Sequence, residues 1–156
     1  MAAHSNDLSA EDLIARLSLA SHPEGGWYRQ TWVDDLADGR PSGTAIYYLL
    51  AKGQRSHWHQ VDATEIWHYY AGAPLMLSLS ETDAGPARDR LLGPDIAAGA
   101  RPQVIVSAGH WQAAATTGAW TLVGCTVSPG FRFEGFTLAT PDFEIPRADA
   151  DGAGAP

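Results

Sequence analysis

An antiparallel β-sandwich or barrel with one short N-terminal helix is the fold class the sequence predicts, and three observations predict it. Helical periodicity is confined to one place: Leu13, Ile14 and Leu17 follow Ser9-Ala-Glu-Asp12, a hydroxyl ahead of two carboxylates that suits a helix N-terminus. From Trp27 onward the chain breaks into short runs rich in aromatic and β-branched residues, punctuated by Gly, Pro and Asp. Within one run Leu75, Leu77 and Leu79 alternate with Met76, Ser78 and Ser80, so one face of a strand turns inward.

The helix should end before Pro23, because the residue ahead of a proline is pushed toward extended geometry. Strand runs then follow at 27–32, 44–50, 65–70, 75–79, 103–106, 120–127 and 136–138. Residues Thr82 to Arg90, with Gly85-Pro86, read as an exposed hairpin connection. No internal repeat is visible. One domain is expected over 9–143, after a disordered 1–8 and before a flexible tail at 144–156, whose Pro, Asp, Ala and Gly offer little apolar surface against the entropy of ordering.

A chain of 156 residues, 45% hydrophobic, can bury a core without staples. With 10 Lys plus Arg against 18 Asp plus Glu, the net charge of −8 works against a phosphate-neutralising surface, so nucleic acid is not an expected partner. One cysteine, Cys125, excludes an internal disulfide framework and a multi-cysteine zinc site, and reads as a small buried hydrophobe. The first residues lack the basic and apolar regions of a leader, and no apolar run approaches the ~20 residues of a membrane span. A cytoplasmic protein without a membrane partner is the expectation. Six Trp and six His stand out and hint at a lined pocket for a small-molecule ligand.

The informative stretch runs from Gly53 through Ser56-His57-Trp58-His59 to Glu65-Ile-Trp67-His68-Tyr69-Tyr70-Ala-Gly72. On a regular strand His57 and His59 share a face, and pairing across the Gln60 to Thr64 loop brings Glu65 onto it. Two imidazoles and a carboxylate form a facial triad for Zn, Fe, Mn, Ni or Co. The same groups can also work without metal, with His57 or His59 as base and Tyr28, Tyr48 or Tyr69 as acid. By the same parity Trp67 should line the cavity, while Trp58 and His68 face away. Of Tyr28 and Arg29 at most one looks inward, and Arg29 calls for a salt bridge, with Glu134 or Glu24 as candidates, or an anionic ligand. His4 and His22 carry little weight, His22 fixing a turn beside Pro23. Trp120 has no evident partner.

This arrangement resembles the first motif of the cupin superfamily, in which a glycine, an HxH pair, a glutamate and a second glycine frame two strands of a small jelly roll. Six residues separate Glu65 from Gly72, as in that motif, and five separate His59 from Glu65, a slightly longer loop. In the second motif the usual histidine position falls on Gln112, in Ser107-Ala-Gly109-His110-Trp-Gln112. The phrases His22-Pro-Glu-Gly-Gly-Trp-Tyr-Arg29, Gly118-Ala-Trp-Thr-Leu-Val-Gly-Cys125 and Pro129-Gly-Phe-Arg-Phe-Glu-Gly-Phe136 look like a small single-domain cupin subfamily often labelled predicted sugar epimerase. The resemblance covers roughly residues 10 to 140.

It implies a cupin-type double-stranded β-helix, a homodimer, and a divalent transition metal on His57, His59 and Glu65, with Gln112 completing the set or His110 substituting. Catalysis would fall to His57, His59, Glu65 and Tyr28, and ligand binding to Trp67, Tyr69, Tyr48, Arg29 and Glu134. The activity expected is of isomerase, epimerase or lyase type on a polar, sugar-like ligand. The alternatives are a metal-free module that binds or senses a metabolite, and a metal-dependent dioxygenase.

Overall fold

The computed structural model describes residues 4–35 and 39–148. Helix α1 spans Ala10–Leu17. Ser9 caps it by accepting from the Asp12 amide, while the Asp12 carboxylate accepts from the Ser9 amide. Ser18, with φ of 55°, closes it in the left-handed conformation, ahead of Pro23. Eleven strands follow: β1 (Ala20–Ser21), β2 (Trp27–Val33), β3 (Thr44–Ala51), β4 (Ser56–Val61), β5 (Thr64–Gly72) and β6 (Leu75–Ser80), then β7 (Arg88–Leu92), β8 (Gln103–Val106), β9 (Trp111–Thr116), β10 (Trp120–Ser128) and β11 (Phe136–Leu138). They form two antiparallel sheets, one in the order β1-β2-β3-β10-β5-β8 and the other β11-β4-β9-β6-β7. This is the jelly-roll sandwich the sequence predicts.

The inner faces of the sheets meet in a core of Tyr48, Leu50, Trp67, Leu75, Leu77, Leu92, Val104, Val106 and Val123. Leu75 and Leu77 are fully buried, as their alternation required. The helix covers the outer face of the larger sheet. Leu13 packs with Leu19, Leu49 and Trp120, and the Trp120 indole donates to the Leu8 carbonyl at 2.8 Å, giving that tryptophan its partner. Among the described residues no helix is long and apolar enough to cross a membrane.

Three local expectations change. Residues 4–8 lie on the fold: the Gly72 amide donates to Asn6 Oδ1 at 3.0 Å. Arg88 to Arg90, read as part of a connection, begin β7, an edge strand on which Asp89 bonds Ser78 and Arg147. Charged residues on both faces of an edge hide its strand signal. The segment from Ala139 to Arg147 is a strap across the smaller sheet, with Ile145 buried in a cluster with Trp58, Ala87 and Ala113. The strap is anchored where the Trp58 indole and Arg55 donate to Glu144 and the Ala87 amide donates to Pro146. Trp58 therefore faces away from the sandwich interior, as parity predicted, and is covered by the chain's own strap. The expectations for residues 1–3 and 149–156 lie outside the described residues.

Removing the Ile145 side chain should leave a cavity against Trp58. Ile145→Ala is expected to lose about 2–5 kcal/mol of unfolding free energy in urea denaturation, where a loose tail would lose none.

Candidate functional site

One end of the sandwich holds a cavity of about 150 Å³ lined by residues of both sheets. Its polar wall is His22, Glu24, His59 and Glu65, and Tyr28, Gln30 and Thr44 continue it. Its apolar wall includes Ile46, Val61, Cys125, Val127 and the trio Phe131, Phe133 and Phe136. The trio is mutually edge-on, with ring centroids 5.0 to 6.2 Å apart.

A bulge in β4 decides which histidine enters. Ser56 pairs with Ala114 and His59 with Gln112, so three steps on β4 oppose two on β9, and one extra residue is inserted. The alternation is broken there, and Ser56 and His59 come to one side. Both touch Glu24: the Ser56 hydroxyl donates to Glu24 Oε2, and His59 Nδ1 lies 3.2 Å from that oxygen. His57 is turned out of the cavity, its Nε2 against the Thr140 carbonyl of the strap at 2.8 Å.

Glu24 sits in a tight turn, where the His22 amide donates to the Gly26 carbonyl and the Gly25 amide to the His22 carbonyl. Gly25, at φ of 110°, passes so close to Arg55 that a Cβ would lie 1.9 Å from its carbonyl oxygen. Only glycine serves there. The Glu24 amide donates to His22 Nδ1 at 3.1 Å, which puts the neutral ring's proton on Nε2. His22 thus fixes its turn, as expected, and also lines the cavity. His59 has the opposite tautomer: Nδ1–H donates to the His57 carbonyl at 2.8 Å, so Nε2 carries the lone pair.

Opposite them, Glu65 Oε1 accepts from Gln112 Nε2 at 2.7 Å, and Gln112 Oε1 accepts from the Trp67 indole at 2.7 Å. The whole chain is buried. Burial pushes the Glu24 carboxyl up to about 8, the Ser56 hydrogen bond opposing. Burial likewise lifts Glu65 to about 7, with His59 opposing and Glu24 adding to the rise. Burial drops His22 to about 4, helped by His59, and also lowers His59 against the pull of Glu65. Near neutral pH the site therefore combines neutral imidazoles with a largely protonated Glu24.

Of the candidate residues, His59, Glu65 and Tyr28 meet in this cavity. Trp67 is core filling that orients Gln112. Tyr48 and Tyr69 donate to the Gly25 and Gly72 carbonyls and do not line the cavity. Arg29 reaches the Leu17 carbonyl at 3.1 Å instead of an acidic partner, and Glu134 is exposed. His68 faces Thr126 and Gln103 on the outer side, as predicted. His110 borders a separate open cleft with Arg88 and Arg90. The implied metal set does not converge: His57 points away, and the Gln112 oxygen is held by Trp67 while its amide nitrogen faces Glu65. Among the described residues no group of three or more His, Cys, Asp or Glu is placed to hold a metal ion. Glu24 and the phenylalanine trio were not singled out as site residues. The paired glycines after Glu24, and three phenylalanines within six residues, were the available signals.

Two antiparallel sheets folded as a jelly roll around an internal cavity are the architecture of a cupin. The chain belongs to the cupin superfamily (DUF985), whose family model matches residues 11–139. It is similar to a protein of Shewanella oneidensis known from its crystal structure, at 38% identity over 85% of each chain with a TM-score of 0.80. A hypothetical protein from Leishmania major is similar at 30% identity, over 85% of this chain and 88% of that one, with a TM-score of 0.77. Oxalate decarboxylase from Bacillus subtilis shares the fold alone, at 12% identity over 76% of this chain and 29% of its own, TM-score 0.59. No curated protein matches the chain at significant similarity.

The buried acids set a pH dependence. Groups raised on folding bind protons in the native state that the unfolded chain has released, so their stabilisation is lost as pH climbs through the folded value. The lowered histidines act in the opposite sense, but only below about 6.5, where the unfolded imidazole takes up a proton. Stability is therefore expected to fall between pH 6.5 and 8, and the midpoint of urea unfolding for Glu24→Gln should fall less over that window.

Proposed function

We propose that the cavity carries a metal-independent acid–base activity of the isomerase, epimerase or lyase type on a polar, ring-sized ligand. The observation that carries this reading is the pairing of two neighbouring groups with fixed and opposite proton states. His59 offers an unprotonated Nε2 because its Nδ1–H is engaged by the His57 carbonyl, and Glu24 beside it holds a proton because it is buried. His59 would take a proton from a carbon next to a carbonyl. The electron pair left on that carbon shifts onto the carbonyl oxygen, which Tyr28 or Glu24 supports with a hydrogen bond. Return of a proton to the carbon restores the carbonyl as the epimer, while departure of a neighbouring leaving group gives the lyase outcome. The side chains that the family resemblance implies as metal ligands do not converge, so the acid–base groups act on the ligand directly. A dioxygenase needs the same convergence and draws no support.

Carbon-acid chemistry leaves a readable trace. Incubated in deuterium oxide with cyclic hydroxy-carbonyl compounds, the protein is expected to exchange the α-proton of its ligand class, followed by NMR. His59→Asn should slow that exchange at least ~100-fold. Ligands that bind the cavity without any exchange in the wild-type protein would sink the catalytic reading and leave a module that binds or senses a metabolite.

A further inference from the structure

Away from the cavity, the inner face of the smaller sheet carries two arginines at its edge. Residues paired on neighbouring antiparallel strands share a face, and the register pairs His59 with Gln112, Gln112 with Leu79, and Leu79 with Arg88, in one row across the sheet. Arg90 lies opposite Leu77, a fully buried core residue. Both arginines therefore leave β7 on the side of the core, yet both are exposed, because β7 is the edge of its sheet. There they line an open cleft of about 320 Å³, together with Leu79, Ser80, Thr82 and His110. Adjacent strands stand about 4.8 Å apart, so the Arg88 backbone is roughly 14 Å from that of His59, with Gln112 and Leu79 filling the row between them. Gln112 is committed to Glu65 and Trp67, so the cleft is a space apart from the cavity.

The acid between the two arginines in sequence does not neutralise them. Asp89 points to the opposite face, where it accepts from Ser78 and Arg147. Arg40, Arg55, Arg132 and Arg147 form ion pairs and Arg29 and Arg101 reach carbonyls, whereas Arg88 and Arg90 do neither among the described residues. Glu81 also lines the cleft, but it pairs with neither arginine among the described residues, and two guanidiniums outnumber its one carboxylate. The cleft is braced, since the Ser80 hydroxyl donates to the Thr82 carbonyl at 2.6 Å and the Ala87 amide to the Pro146 carbonyl at 2.8 Å.

We infer that this cleft binds the phosphate group of a small polar phosphomonoester. Two guanidiniums on one strand face, roughly 6–7 Å apart at the backbone, can each turn a fork of N–H donors onto one dianion. His110 adds a ring donor. A carboxylate, with one charge, would leave one guanidinium unmatched, and the cleft has room for a polar body beyond the phosphate. A nucleic-acid chain would meet the net charge of −8 around so small a basic patch. Charge on an edge strand also guards it against pairing with another sheet, but guarding needs charge alone, whereas the phosphate site needs the guanidinium fork. The assignment is independent of the chemistry proposed for the cavity.

Inorganic phosphate, methyl phosphate and acetate test this, titrated into the whole protein at constant ionic strength and about pH 7.5, where a phosphomonoester is dianionic, and followed by amide NMR. Both phosphates are expected to give saturable shifts at Arg88, Arg90 and His110 with a dissociation constant of about 1 mM or tighter, at least tenfold tighter than acetate. Arg88→Gln combined with Arg90→Gln should weaken phosphate at least tenfold. Arg88→Lys combined with Arg90→Lys should weaken it severalfold although the charge is kept, and Glu81→Gln should tighten it. If a double variant does not fold, the wild-type ranking and the location of the shifts decide. Four results would each overturn the assignment: no saturable shift at these residues, acetate matching phosphate, lysines binding as tightly as arginines, or phosphate shifts centred on His59 and Glu65.

Discussion

A carboxyl group removed from water has to find a donor, and Glu24 finds one, Ser56, on a strand of the opposite sheet. Its turn leads into β2 of the larger sheet, while Ser56 and His59, which meet its oxygens, belong to β4 of the smaller one. The backbone repeats the link, with the His57 amide donating to the Glu24 carbonyl at 2.8 Å. This join closes one end of the sandwich around the cavity. Losing the Ser56 donor would leave a buried carboxyl oxygen unpaired, a cost of about 1–3 kcal/mol, so side-chain chemistry and sheet-to-sheet geometry constrain each other here.

The bulge in β4 follows from that requirement. A regular strand would offer either Ser56 and Trp58 or His57 and His59 to the interior, two apart. Glu24 accepts from Ser56 and lies 3.2 Å from the His59 ring, residues three apart, and one inserted residue makes this possible. The insertion also sends His57 to the strap and Trp58 to a dry cluster with Ile145, so the outer surface of the smaller sheet is completed by the C-terminal segment.

The aromatic wall is held by a second set of polar contacts. Asp62, in the turn between β4 and β5, receives a bidentate pair from Arg40 at 2.6 and 3.1 Å, and its amide donates to the Gly135 carbonyl. The Phe131 amide donates to Thr44 Oγ1 at 2.9 Å, and Arg40 Nε to the Gly130 carbonyl. The phenylalanines are thus pinned over the polar wall by backbone bonds, and their rings contribute area and shape. Positive charge near the mouth is spent on Asp62, which keeps it out of the cavity.

Strand existence was legible because burial writes a period of two into each run: all seven expected runs are strands, and Glu65 and Trp67 share the inward parity predicted for them. The helix was legible from its capping residues and apolar spacing. Strand β7 was not, since its charged residues carry no apolar alternation. The HxH pair was legible as a motif yet misleading as geometry, because parity holds only along an uninterrupted ladder, and the bulge depends on a partner strand more than fifty residues away in sequence. By itself the sequence determined the all-β sandwich, the helix, and the place of His59 and Glu65 in one site, all properties of local periodicity and short loops. Only the tertiary structure decided that Glu24 and the phenylalanines join them, that His57 does not, and that Gln112 serves Glu65. Those outcomes rest on which distant groups must satisfy one another's hydrogen bonds once water is excluded.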